Sequence, residues 1–144
     1  LWKALVGAGL NVVRVPIRDL DTRDLKARIG EAVETVVEAL SMDNRVYLHC
    51  TAGLNRSPTV AIAVLAGPLG MGYEKAVEHV KSRRHVVPDF GTIRSWLATA
   101  YPEALEGQEG QAWEDFLGNG DLGLFPNSVA CVGKVDQEKP DCVS

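Results

Sequence analysis

The feature that most constrains this chain is the stretch from Val46 to Pro58, which reads VYLHCTAGLNRSP. Its first residues are mainly apolar, which is typical of a buried strand, and a short loop of small and polar residues follows. Pro58 is favoured in the first turn of a helix, so the pattern predicts a strand, a tight loop and a helix in direct succession. Such a loop faces the N-terminus of a helix, where anions bind.

Cys50 begins this loop and Arg56 closes it, with five residues between them. A thiol attacks only as the thiolate, and the N–H groups at a helix N-terminus stabilise that charge. Gly53 permits the close curl of the backbone that an anion nest requires, and the planar guanidinium of Arg56 suits phosphoryl oxygens. The spacing therefore predicts a cysteine-dependent phosphatase with Cys50 as nucleophile. The expected phosphate-binding residues are Thr51, Ala52, Gly53, Leu54, Asn55 and Arg56.

Two further groups complete the predicted chemistry. Ser57 directly follows the arginine, and its hydroxyl is expected to stabilise the thiolate as a leaving group. An acid must also protonate the leaving oxygen, and the charged loop after the first strand offers Asp19, Asp21 and Asp24. Position favours Asp19, although a solvated or capping residue is the alternative. Asp24, or Thr22 before it, is expected to cap the helix that follows.

The rest of the chain supplies a framework around this loop. Residues 11–15 and 45–49 have the composition of short strands, and apolar residues recur at helical spacing from Leu25 to Leu40. This alternation predicts an α/β fold with a mainly parallel central sheet flanked by helices. Further helices are expected over residues 59–66, 73–82 and 89–101.

The sequence divides into two parts. Residues 1–105 carry the alternating pattern and are expected to form the catalytic domain, partial at its N-terminus because the chain begins at Leu1 without a methionine. Residues 106–144 are rich in Gly, Glu, Asp and Asn and have little periodicity. We expect a docking segment to about residue 126 and a disordered tail beyond it.

Composition argues against several classes of function. The net charge of −4 gives no sign of a nucleic-acid-binding surface, and no apolar run reaches the roughly 18 residues of a membrane span. Three cysteines, an odd number without metal-ligand spacing, argue against a disulfide scaffold and a zinc site. The expected partner is therefore a phosphorylated substrate, without nucleic acid, membrane, metal or cofactor, and the oligomeric state stays open.

Residues 49–57, HCTAGLNRS, match the signature His-Cys-x-x-Gly-x-x-Arg-Ser/Thr, so the chain resembles the dual-specificity phosphatases of the protein tyrosine phosphatase superfamily. The resemblance covers about residues 1–101 and implies the cysteine-phosphatase fold. The chain is most similar to the plant and algal glucan phosphatases related to laforin, whose loop reads Cys-x-Ala-Gly-x-Gly-Arg. Residues 17–21, IRDLD, resemble their Ile-Arg-Asp-Phe-Asp segment, in which the first aspartate is the general acid. The resemblance thus implies this role for Asp19.

The resemblance leaves two substrate classes. Glucan phosphatases remove phosphate from starch or glycogen, which implies a phosphorylated glucan substrate and a plastid location. Leu20 stands where that group often has an aromatic residue, and Asn55 stands where it has glycine. The alternative is a dual-specificity protein phosphatase acting on phosphoserine, phosphothreonine or phosphotyrosine, with a cytoplasmic location. A third hypothesis is a non-catalytic phosphate-binding or scaffold protein.

Overall fold

The computed structural model describes residues 2–107 and 128–133, with the backbone alone for Trp2 and for residues 128–133. The strand β3 lies between β1 and β2 and pairs with both in parallel, which confirms the predicted α/β fold. In chain order the elements are α1 (Trp2–Gly7), β1 (Asn11–Pro16), α2 (Thr22–Ser41), β2 (Tyr47–His49), α3 (Arg56–Ala66), α4 (Tyr73–Arg83), α5 (Phe90–Ala100), a 3-10 helix (Pro102–Leu105) and β3 (Ser128–Gly133).

The position of β3 corrects the prediction for the end of the chain. The sequence predicts a docking segment and a disordered tail over residues 106–144, yet residues 128–133 form the middle strand of the sheet. The run Val-Ala-Cys-Val suits a strand paired on both edges, because it is apolar and partly β-branched. The run lies within a polar, glycine-containing segment, which hides this pattern in the sequence. The rest of this prediction, over residues 108–127 and 134–144, lies outside the described residues.

The helix α2 packs its apolar face against β1 and α3. The residues at helical spacing are those that become buried, and Leu25, Ile29 and Val33 are each no more than 2% exposed. Burying a side chain of this kind stabilises the fold by about 1.5–3 kcal/mol. This face therefore fixes the start of α2, and the loop that leads into it, against the sheet.

The helix α3 lies between two hydrophobic cores. Nine of its 11 residues are buried, and residues 60–66 are apolar all round, as is typical of a core helix. Val60 and Val64 pack into the core formed with α2, whereas Ile62 and Ala66 pack into the core formed with α4 and α5. The N-terminus of α3, which carries Arg56, is therefore held from two sides. No helix in the described part of the chain is long and apolar enough to cross a membrane.

Candidate active site

The cysteine loop, residues 50–56, joins the carboxyl end of β2 to the N-terminus of α3, as the sequence predicts. Gly53 turns the loop with a φ of +66°, a left-handed conformation that favours glycine. A Cβ atom on Gly53 would lie 2.6 Å from Nη2 of Arg84, the flexible end of an exposed side chain, which would have to move. The turn directs the N–H group of Gly53 toward the sulfur of Cys50.

Cys50 lies at the base of the loop and is 4% exposed. Its sulfur is 3.3 Å from the hydroxyl oxygen of Ser57. Burial raises the pKa of the thiol, but hydrogen bonds from Ser57 and Gly53 and the charge of Arg56 outweigh burial, so the pKa of Cys50 is lowered. A lower pKa increases the fraction of thiolate, which is the nucleophilic form.

Arg56 is 2% exposed, although its guanidinium carries a full charge. Nη1 donates a hydrogen bond to the Ile17 carbonyl at 2.9 Å, and Nη2 donates one to the Thr51 hydroxyl at 2.9 Å. The buried Nε–H group has no acceptor among the described residues. An unpaired buried donor costs about 1–3 kcal/mol, and an anion bound in the loop would offer the missing acceptor.

The acid loop, residues 17–21, brings Asp19 to this arginine. Oδ1 of Asp19 lies 3.0 Å from Nη2 of Arg56, and the Asp19 side chain is 39% exposed. The predicted acid and the predicted phosphate-binding arginine are thus in contact, although 37 positions separate them in the sequence. Asp19 also retains access to solvent, from which a substrate would enter.

Asp21 and Asp24 shape the acid loop and make no contact with Arg56 among the described ion pairs. The Asp21 carboxylate caps α2 by accepting hydrogen bonds from the N–H groups of Arg23 and Asp24, each at 3.0 Å. The prediction of Thr22 or Asp24 as the cap is therefore wrong. Asp24 accepts a 2.7 Å hydrogen bond from the N–H group of Arg18, and this bond lowers the pKa of the Asp24 carboxyl.

The other predicted phosphate-binding residues belong to the same loop and differ in what their side chains contact. The hydroxyl of Thr51 receives the bond from Arg56 described above. The Asn55 side chain donates a 2.8 Å hydrogen bond to the carbonyl of Val87. The Leu54 carbonyl in turn accepts a 2.7 Å bond from the Val87 N–H group. Phosphate binding by the backbone N–H groups of Thr51, Ala52, Gly53, Leu54, Asn55 and Arg56 stays a prediction.

Sequence reasoning missed the rim segment, residues 84–89, which lies along the cysteine loop. The guanidinium of Arg84 lies against Gly53 of the loop. The N–H group of Asp89 donates to the Thr59 hydroxyl at 2.8 Å, and the Asp89 carboxylate accepts from the Thr22 hydroxyl at 3.1 Å. No local sequence pattern predicts these bonds, because they join residues 30 and 67 positions apart.

An open groove beside Arg56 runs between the acid loop and the rim segment. Leu20, Val87 and Pro88 give it an aliphatic lining. Its charged lining beside Arg56 consists of Arg18, which is 3.6 Å from the carboxylate of Asp21, and of Asp21 and Asp89. Within the described part of the chain, no aromatic side chain lines this groove, and no three His, Cys, Asp or Glu side chains gather as metal ligands would. The groove therefore places an aliphatic surface and charges of both signs beside Arg56.

Comparison with known proteins points to the same chemistry. A family model described as the catalytic domain of dual specificity phosphatases matches residues 4–100. The chain is 35% identical to dual specificity protein phosphatase 5 of Rattus norvegicus over 133 residues, which covers 80% of this chain and 35% of that protein. It is 34% identical to the amyloplastic phosphoglucan phosphatase DSP4 of Castanea sativa over 87 residues, which covers 60% of this chain and 23% of that protein.

A third relative is dual specificity protein phosphatase 1B of Arabidopsis thaliana, 35% identical over 71 residues. That match covers 49% of this chain and 42% of the relative. The chain thus spans less than half the length of each of these three proteins. The likeness therefore concerns only the matched part of each relative.

Proposed function

Because the chain belongs to the dual specificity phosphatase family, we propose that it hydrolyses phosphate monoesters through a covalent intermediate on Cys50. In the first step the Cys50 thiolate attacks phosphorus, a P–S bond forms, and the P–O bond to the leaving group breaks. Arg56 and the loop N–H groups bind the non-bridging oxygens, over which the transition-state charge is spread. Asp19 donates its proton to the leaving oxygen.

The ion pair between Asp19 and Arg56 sets the order of substrate entry and proton donation in this step. A carboxyl group that donates a proton must be protonated, and it cannot form an ion pair at the same time. The entering phosphoryl group replaces Asp19 as the partner of Arg56 and also accepts from the unpaired Nε–H group. Asp19 is then free to meet the leaving oxygen.

In the second step water attacks the phosphorus of the phosphocysteine. The P–S bond breaks, the Asp19 carboxylate accepts a proton from the water, and inorganic phosphate is released. The Ser57 hydroxyl, 3.3 Å from the sulfur, donates a hydrogen bond to the departing thiolate. Atoms and charges balance without any added cofactor.

The observation that carries this proposal is a thiol of lowered pKa in the same loop as a buried arginine with an unpaired donor. The test is hydrolysis of a small aryl phosphate near pH 6 by the full-length protein in the presence of a chelator. We expect turnover by the wild type and a loss of at least about 10⁴-fold in Cys50→Ser. A folded wild-type protein without turnover would support the non-catalytic, phosphate-binding alternative.

For the substrate, we propose a phosphoprotein carrying phosphoserine, phosphothreonine or phosphotyrosine. The aliphatic lining and the Arg18 cation of the groove suit a peptide chain better than a sugar ring, which packs on flat aromatic faces. Two of the relatives named above are protein phosphatases by name. Phosphopeptides with an apolar residue beside the phosphorylated one are expected to be the better substrates.

A phosphorylated glucan is the second candidate. It is favoured by the likeness of residues 17–21 and 50–56 to the glucan-phosphatase pattern and by the phosphoglucan phosphatase among the relatives, which is named as amyloplastic. A plastid location would accompany this substrate. Phosphate release from a solubilised phosphoglucan and from a phosphopeptide, compared at equal phosphate concentration with Cys50→Ser as control, separates the two. Release from the glucan alone would overturn the protein-phosphatase proposal.

The boundaries of the catalytic unit follow from the position of β3. We propose that residues 1–105 form this unit together with residues 128–133, because β2 leads directly into Cys50 and pairs with β3. A chain ending at residue 107 is expected to lose activity. Full activity in that shortened chain would restrict the unit to residues 1–105.

A further inference from the structure

Asn55 occupies the N-cap position of α3 but does not cap the helix. An N-cap asparagine commonly accepts a hydrogen bond from the N–H group two or three residues further on. Those positions are Ser57 and Pro58, and the Asn55 side chain makes no capping bond. Since proline has no N–H group, Ser57 carries the one N–H group that such a cap could use.

That N–H group has another function in this site. The hydroxyl oxygen of Ser57 lies 3.3 Å from the sulfur of Cys50, and a hydrogen bond from the Ser57 N–H group is among the causes that lower the pKa of this thiol. A capping side chain on residue 55 would therefore compete with the thiolate for the same donor. Among the described residues, the charged groups near the cysteine loop include Arg56 from α3, Asp19 from the acid loop and Arg84 from the rim segment, with Arg18, Asp21 and Asp89 in the groove beside Asn55.

The rim segment holds the Asn55 side chain away from this donor. Nδ2 of Asn55 donates to the Val87 carbonyl at 2.8 Å, and the Val87 N–H group returns a 2.7 Å bond to the Leu54 carbonyl. The Asn55 carbonyl accepts from both the N–H group and the hydroxyl of Thr59, at 3.0 and 2.7 Å. Backbone and side chain of Asn55 are thus engaged on the side of the rim segment and α3.

We propose that Asn55 is a positioning residue: its bond to the Val87 carbonyl diverts it from capping α3 and leaves the Ser57 N–H group to Cys50. The role rests on the proposed phosphatase chemistry, but the contact that it protects is a property of the thiol itself. Aspartate at this position could not donate to Val87, whereas its carboxylate would accept from Ser57. Glycine would have no side chain with which to compete.

The test compares Asn55→Asp and Asn55→Gly with the wild type. The rate of Cys50 alkylation by iodoacetamide, followed from pH 4 to pH 9, reports the thiol pKa without any need for turnover. Leu54→Asp is the matched control, since it adds the same charge to the neighbouring residue outside the N-cap position. The second readout is kcat/KM for a small aryl phosphate near pH 6.

We expect Asn55→Asp to raise the thiol pKa by about one unit or more, Leu54→Asp to raise it by less than half as much, and Asn55→Gly to leave it nearly unchanged. In Asn55→Asp, kcat/KM should fall about tenfold for each unit. Equal shifts in the two aspartate variants, or a glycine variant shifted as far as Asn55→Asp, would overturn the proposal.

A measurement on the wild type keeps the inference testable if Asn55→Asp does not fold. The amide proton resonance of Ser57 should shift with pH along the same titration curve as Cys50 alkylation. A Ser57 amide resonance that does not shift as Cys50 titrates would overturn the proposal. If the thiol pKa values of the variants differ as expected but the wild-type protein shows no phosphatase turnover, the proposed function alone would be refuted.

Discussion

The cysteine loop and the acid loop both turn through a residue in the left-handed conformation, yet they use opposite kinds of residue. In the cysteine loop it is Gly53, at φ +66°, with the Arg84 guanidinium packed against it. In the acid loop it is Leu20, at φ +58°, with 93% of the residue exposed. A leucine in this conformation carries a strain of about 1–2 kcal/mol. The turn residue of the cysteine loop thus has a neighbouring side chain against it, whereas the turn residue of the acid loop is open to solvent.

The two loops also differ in what holds them. The cysteine loop is continuous with β2 and α3 and is bonded to the rim segment. The acid loop is held at Arg18 by Asp24, and its contacts with the rest of the site go to Arg56, from the Ile17 carbonyl and from Asp19. The proposed nucleophile Cys50 therefore lies between two framework elements. The proposed acid Asp19 lies in a loop that the buried Ile17 and the Asp21 cap anchor at its two ends, and its carboxylate is paired with Arg56.

Arg56→Lys should give the largest effect, because both loops lose their common partner. We expect kcat/KM to fall by about 10³-fold, since lysine cannot reproduce the planar fork on the phosphoryl oxygens. The free energy of unfolding should also fall by about 2 kcal/mol through lost charge-assisted hydrogen bonds. Steady-state kinetics and thermal unfolding measure the two effects, with Arg23→Lys on the exposed surface of α2 as control. Equal losses of kcat/KM and of stability in the two variants would show that Arg56 is not the common partner of both loops.

Asp19→Asn should affect the chemistry of the acid loop and leave the cysteine loop intact. For a substrate with a poor leaving group, kcat should fall by about 10²–10³-fold, and for an activated aryl phosphate by less than about tenfold. The measurement is kcat against the pKa of the leaving group. Asp21→Asn is the control, because asparagine also caps a helix and should keep the wild-type dependence. Equal slowing for good and poor leaving groups would exclude Asp19 as the acid.

The difference between the cysteine loop and the acid loop also explains how much of the site could be predicted from the sequence. Cys50, Arg56 and Ser57 are readable because a strand, a loop and a helix place consecutive residues around one centre. Asp19 could be ranked by position, but its contact with Arg56 depends on how α2 packs on β1. Sequence could not rank Asp21 above its neighbours as the helix cap, because all three residues are good caps.

The rim segment and β3 were beyond prediction for a different reason. The contacts of Arg84 and Val87 with the cysteine loop join segments about 30 residues apart and leave no periodic signal. A strand such as β3, within a polar segment, is identified by its two neighbours in the sheet more than by its own residues. Long-range packing, and not local propensity, creates both features.

The Asp24 carboxylate should make the order of the acid loop depend on pH. Its pKa is lowered in the folded protein, so the bond to the Arg18 N–H group is complete above the ordinary value of about 3.9 and is lost as pH falls through the lowered value. Amide exchange at Arg18, corrected for its intrinsic rate, should lose protection as pH falls below about 4. Asp24→Asn should abolish this dependence and lower kcat by about threefold. Constant protection in the wild type would show that other bonds hold the loop.

Leu20→Gly should give the smallest effect and tests whether the acid loop is as open as it looks. Glycine relieves the strain at φ +58° but adds freedom to the unfolded chain, so the free energy of unfolding should change by less than about 1 kcal/mol. The reciprocal change, Gly53→Ala, should destabilise by about 1–2 kcal/mol, because alanine at φ +66° is strained and its Cβ atom must displace Arg84. Thermal unfolding of both variants checks this. If Leu20→Gly were as damaging as Gly53→Ala, the exposed leucine would have to hold the acid loop through contacts of its own, and the two loops would be equally constrained.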